Sequence, residues 1–263
     1  MSDHHVSKAL QFVEAAPLPP LPGREAAPEA PAKDTLSDIK DQAAIVGSDV
    51  ISFVSGVTAE QRQDLINSVL LAQLVAKVKV PDSARIYDWY KEYFEVLKQI
   101  GWVVQSEQFA TYIREGIGFE AHEAIIELAT SLLGPASGAL AVVKATLGSL
   151  QKMKSDSPWI TIFNRESQSG QTARFQVSVA EPDQKGGFFV TLMAFGLEAH
   201  ATLTQVLVFK IHSNKDTLRH FEGKVSINAR VLAGIREEVE KKLAAHVASY
   251  VRTLPDLGAL PKP

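Results

Sequence analysis

Apolar positions along the chain follow two regimes. Up to about Lys152 they recur mostly at three- and four-residue intervals, and after Pro158 they form short runs of β-like composition. The stretch "LSDIKDQAAIVGSDVISFVSG" places Ile39, Ala43, Ile45, Val50 and Phe53 in a helical pattern starting near Leu36 and stopping near Gly56. Thr58-Ala59-Glu60-Gln61 has the spacing of a capping box and predicts a second helix through Lys77. Pro81 and Asp82 precede a third, "SARIYDWYKEYFEVLKQIG", with Ile86, Tyr93, Val96, Leu97 and Ile100 at helical spacing and Gly101 as terminator. Residues 102–113, "WVVQSEQFATYI", mix β-branched and aromatic residues and predict a strand or hairpin. Helix resumes over 119–153.

Four β-like runs follow: "ARFQVSVAE", "GFFVTLMAFGLEA", "TLTQVLVFKIHS" and "LRHFEGKVSINA". The turn signals between them are short, which favours an antiparallel meander over about 172–228. A last helix is predicted over 229–254, capped by Asn228 and stopped before Pro255. The fold class is therefore α+β: helices packed on a mainly antiparallel β-meander sheet. Residues 1–34, with their "AAPLPPLPGREAAPEAPAK", read as a disordered Pro/Ala-rich arm. Residues 35–256 read as one α+β domain and 257–263 as a tail.

Two segments bear on function. "ATSLLGPASGALAVVKATLGSL" (129–150) has Lys144 as its one charge and raises the question of a membrane hairpin. Gly134-Pro135 divides it, and neither half offers the roughly twenty uninterrupted apolar residues of a spanning helix. The spacing instead predicts an amphipathic αα-hairpin turned toward a core, with membrane-surface contact as the alternative. In "GFFVTLMAFGLEA" both strand parities are apolar, so the strand is covered on both sides or lines a cavity. The candidate apolar ligand pocket comprises Phe189, Met193, Phe195, Val206 and Val208.

The 263 residues are 46% hydrophobic and 22% charged, with a net charge of −3 and no basic stripe, which argues against a nucleic-acid partner. Cysteine is absent, which excludes disulfides and thiolate chemistry. The chain shows no phosphate-binding glycine loop, and "GPASG" lacks the Gly-x-Ser-x-Gly spacing of a nucleophile elbow. His122 lacks a partner histidine four residues on. His200, His212 and His220 flank turns; His212 and His220 can approach across one, and solvated side chains are the expectation. Asp88, Glu92 and Glu95 share an ordinary charged helix face. No catalytic residue, metal site or cofactor is assigned.

The reading is a non-enzymatic binding protein of membrane- or lipid-associating, effector- or toxin-like type with an apolar pocket. The alternatives are an assembly protein tethered to a protein partner through residues 15–33, or a cofactor-independent enzyme. No secretory signal is visible at the start of the chain, so cytoplasmic residence is the default, with release by a signal-independent route as the variant.

Overall fold

The computed structural model describes residues 2–21, 36–104, 108–113, 118–184, 186–208, 210–212, 215–254 and 257. Its first elements are helix α1 (Ser2–Ala15), strands β1 (Gln42–Val46) and β2 (Asp49–Phe53), and helices α2 (Ala59–Lys79) and α3 (Ile86–Gln99). Three two-residue strands follow, β3 (Trp102–Val103), β4 (Ala110–Thr111) and β5 (Phe119–Glu120). Helices α4 (Ala121–Leu133), α5 (Gly138–Lys152) and α6 (Pro158–Ser167) come next. The β-rich part comprises β6 (Gln168–Ser169), β7 (Thr172–Pro182), β8 (Phe188–Glu198), β9 (Lys210–Ile211) and β10 (Thr217–Ile227). Helix α7 (Ala229–Tyr250) and strand β11 (Val251–Thr253) close the described chain.

The main sheet runs β11-β1-β2-β7-β8-β10-β3, antiparallel except where β2 lies parallel to β7. The protein is thus α+β, as its patterning predicts. Both faces of the sheet are buried. Ile51 and Phe53 of β2 with Val190, Leu192 and Ala194 of β8 join one core, closed by α1, α2, α3 and α7. Val50 of β2 with Met193, Phe195 and Leu197 of β8 join a second core, closed by α4, α5 and α6. Successive strand residues point to opposite faces, so one strand feeds both cores. Each large aliphatic side chain buried this way contributes about 1.5–3 kcal/mol of transfer free energy.

Several predicted boundaries hold. The Thr58–Gln61 capping box is formed, Asn228 caps α7 by accepting from the Val231 N–H, and Gly101 ends α3 in the left-handed region at φ +97°. The 129–150 segment is a helical hairpin broken at Gly134, with Ser137 as the cap of α5. Its Ala129, Leu140, Val143, Leu147 and Leu150 are buried in the second core. Among the described residues, no helix is long and apolar enough to cross a membrane.

Four expectations are corrected. The helix predicted from Leu36 is instead the β1–β2 hairpin, turning at Gly47 with φ +55°. Its residues are buried on both faces, so period-two alternation is lost and the apolar spacing mimics a helical stripe. Arg62 of α2 anchors the hairpin: its guanidinium donates to the carbonyls of Lys40, Val54 and Val57 and to Gln42 Oε1. Among its described residues, the run from Thr202 contributes only Lys210–Ile211 as strand, because β8 pairs directly with β10. Leu203, Val206 and Leu207 instead pack into the second core from an irregular segment. The final helix ends at Tyr250, and Val251–Thr253 form β11 on the edge of β1, where sheet pairing overrides helix continuation. In the arm, Ser2–Ala15 are helix α1, with Ala9 and Val13 buried in the first core. The Pro/Ala-rich residues 22–35 lie outside the described residues.

Helix α7 is pinned from two sides. Arg236 makes a two-pronged bond to Asp64 of α2, at 2.8 and 2.7 Å. On the α1 side, a Cβ on Gly234 would stand 2.5 Å from Val6 Cγ1. Gly234→Ala therefore exchanges about 1 kcal/mol of helix propensity for a clash relieved by lifting α1. Hydrogen exchange at α1 amides is expected to accelerate in Gly234→Ala and to recover in Gly234→Ala/Val6→Ala. Unchanged exchange in the single variant would refute the close approach.

Candidate functional site

A polar strand residue in a sheet buried on both faces needs an internal partner. Asp49 of β2 and Gln176 and Ser178 of β7 are such residues, all buried. Ser178 Oγ donates to Asp49 Oδ2 at 2.8 Å, while Asp49 Oδ1 has no hydrogen-bond partner among the described residues. Burial raises the Asp49 carboxyl to about 7, against the opposing hydrogen bonds from Ser178. Tyr90 of α3 reaches the same interior: its hydroxyl lies 2.9 and 2.8 Å from the carbonyls of Phe175 and Phe195 and accepts from Gln176 Nε2. Ser48 Oγ lies 3.0 Å from Gln176 Oε1, and Gln73 of α2 accepts the Ser48 N–H. These bonds knit β2, β7, α2 and α3 through their polar groups.

Arg174 carries this network toward the surface. It lies on β7 at the parity of Gln176, and its guanidinium sits 4.7 Å over the Trp89 ring. Burial lowers its pKa, opposed by nearby Tyr90 and Glu166. Its Nε is buried without a hydrogen-bond partner among the described residues. Arg174 also lines a cleft of about 200 Å³ bounded by the C-terminal end of α2, the end of α6, β6 and the start of β7. On the same wall, Glu166 accepts Lys77 Nζ at 2.8 Å and Arg165 Nε at 2.7 Å. One carboxylate is thus shared by two cations, and Arg174 stands as a third cation within the same lining. Ser167 Oγ and Gln168 Oε1, from two further lining residues, are buried and unpartnered among the described residues as well. A narrower gap shares Lys77, Glu166 and Arg174 with the cleft and extends to Ser48 and Gln73. Excess positive charge beside the unmatched donors Arg174 Nε and Ser167 Oγ is suited to an oxyanion, which Gln168 Oε1, an acceptor, does not help to bind.

The residues expected to form an apolar pocket take other places. Met193, Phe195 and Val206 are wholly buried together in the second core. Phe189 is half-buried under the Lys224 ammonium, 5.2 Å from its ring, and Val208 is 37% exposed; neither belongs to that core. The turn-flanking histidines, expected as solvated side chains, are arranged otherwise than in the alternative approach of His212 and His220. His220 faces Phe195 and Ala110 across the sheet, and His212 instead meets His200 at Asp216. Burial is the largest influence on the Asp216 carboxyl and pushes it up. Hydrogen bonds from the His212 and His200 backbone and the His200 ring outweigh it and hold the group below the usual range.

Lys77, Arg165, Glu166 and Arg174 carry no motif, and sequence reasoning passed over them. The available signal was Arg174 with Gln176 in "ARFQVSVAE", polar groups on one parity of an otherwise apolar strand.

No family model matches the chain, and no curated relative matches it in sequence. Among solved structures, one titled delta-endotoxin is similar with a TM-score of 0.40 at 11% identity, over 81% of this chain and 92% of that one. One titled structure of the Evf virulence factor is similar with a TM-score of 0.37 at 11% identity, over 84% and 86%. The functional reading rests on this chain's own side chains.

Asp49 yields a pH prediction. An acid whose folded-state pKa is raised from 3.8 to about 7 leaves the fold less stable as pH climbs between those values, because the unfolded chain ionises first. Between pH 5 and pH 8 the loss is on the order of 2–3 kcal/mol. Denaturant unfolding at both pH values is expected to show Asp49→Asn gaining that much relative to the parent at pH 8. A gap independent of pH would remove Asp49 as the cause.

Proposed function

We propose that the protein is a ligand-binding protein whose ligand presents a phosphate-type oxyanion to the cleft between α2, α6 and β7. The observation that carries the reading is Arg174: a half-buried guanidinium on rigid strand backbone, with an unpartnered Nε, lining a cavity of about 200 Å³. Glu166 is occupied by Lys77 and Arg165, so an incoming anion meets a surplus of positive charge. Trp89 holds the guanidinium plane in place, which limits the conformational entropy lost on binding. The lipid-associating expectation takes a specific form here, since an anionic lipid headgroup and a free phosphate ester offer the same chemistry.

The test uses the full chain in two arms: calorimetric titration with glycerol 3-phosphate, and co-sedimentation with phosphatidylcholine vesicles with or without phosphatidic acid. Saturable binding in the first arm identifies a soluble ester; binding only to phosphatidic acid vesicles identifies a headgroup. In the arm that binds, Arg174→Gln is expected to weaken affinity about 10- to 100-fold, the scale of a lost charged hydrogen bond. Lys144→Gln, on the exposed side of α5, is expected to change nothing. No binding in either arm, or equal binding by Arg174→Gln, overturns the proposal.

A further inference from the structure

The chain between β8 and β10 closes on itself. His200 follows β8, His212 follows β9, and Asp216 precedes β10. The Asp216 side chain is fully buried, and its two oxygens divide the work: Oδ1 accepts the His200 N–H at 2.8 Å and Oδ2 the His212 N–H at 2.7 Å. The imidazoles converge on the same carboxylate. His200 Nδ1 lies 2.6 Å from Oδ1, His212 Nδ1 lies 3.5 Å from Oδ2, and the rings meet edge to face with centroids 5.4 Å apart. One ligand atom from each residue falls within 4.8 Å of the others.

A carboxylate that merely staples a loop accounts for the two backbone bonds and for His200. It does not account for His212, whose Nδ1 is buried, faces the carboxylate and has no hydrogen-bond partner among the described residues. A carboxylate oxygen that accepts one N–H keeps a second lone pair, so Asp216 retains the capacity to ligate. We propose that His200, His212 and Asp216 bind a divalent transition-metal ion of the zinc class. Two imidazole nitrogens and one carboxylate oxygen favour such an ion over magnesium or calcium, which take oxygen ligands. Both histidine side chains are about two-fifths exposed, at 37% and 41%, so the ion has an entry path and room for a water as fourth ligand. Bonds of about 2.0–2.1 Å to one ion require His200 Nδ1 to leave Oδ1 and the three donors, now within 4.8 Å of one another, to draw in around it. The bound ion would pin both ends of the excursion that places Leu203, Val206 and Leu207 in the second core.

The test is zinc titration of the chelator-treated full chain in a His4→Ala/His5→Ala background, which removes the adjacent pair in α1 as a competing site. One zinc per chain, with a rise in melting temperature, is expected. In the same background, adding His212→Ala is expected to weaken binding at least about tenfold and abolish the thermal shift. Cobalt gives a reading that needs no site variant: visible absorption of a nitrogen–oxygen tetrahedral complex, displaced by zinc and not by magnesium. Absence of stoichiometric zinc binding, or binding retained in His200→Ala/His212→Ala, overturns the proposal and leaves Asp216 as a loop staple.

Discussion

A sheet covered on both faces has no wet side on which to place a polar residue. Each strand residue of β2, β7 and β8 must then be apolar or must find a hydrogen-bond partner inside the protein. The two cores follow from the first solution, and the network of Ser48, Asp49, Gln73, Tyr90, Gln176 and Ser178 from the second. The network ties strand pairing to helix packing, since Gln73 and Tyr90 come from the helices while their partners lie on the strands or on the turn of the first hairpin. Where it approaches the surface, the compensation stops short, and Arg174, Ser167 and Gln168 retain unmatched polar atoms. The candidate site is one of several places where buried polar atoms stay unmatched among the described residues, Asp49 Oδ1 and His212 Nδ1 being others.

The patterning exposed much of this architecture. Capping residues Thr58 and Asn228, the terminating Gly101 and the break at Gly134 act within a few residues of their own position, so they are readable from the sequence. Two of the failures share one cause. At β1 and β2, burial on two faces erases the alternation that marks a strand, and the partner that settles the matter, β7, is far away in sequence. The run around Val206 has strand composition but no place between β8 and β10, which already pair with one another. Tertiary competition decides both cases, and composition is blind to it.

The site was less legible than the fold. Lys77, Arg165, Glu166 and Arg174 come from α2, α6 and β7, and no spacing rule joins them. The apolar residues that stood out, Met193 and Phe195, were conspicuous because they fill a core. His200 and His212 illustrate the same point: the missing member was Asp216, which lies one residue before β10 and whose importance comes from its burial.

The parallel pairing of β2 with β7 has a consequence for how the chain reaches its native state. Asp49 through Phe53 align with Gln176 through Ala180, so the hairpin formed by β1 and β2 has no inner neighbour until most of the chain exists. Its outer neighbour, β11, comes later still. During synthesis the hairpin therefore waits with both edges unpaired and its apolar faces uncovered. Such long-range closure slows folding and leaves open strand edges available to other chains. A cell making this protein must tolerate that interval or shield the hairpin through it.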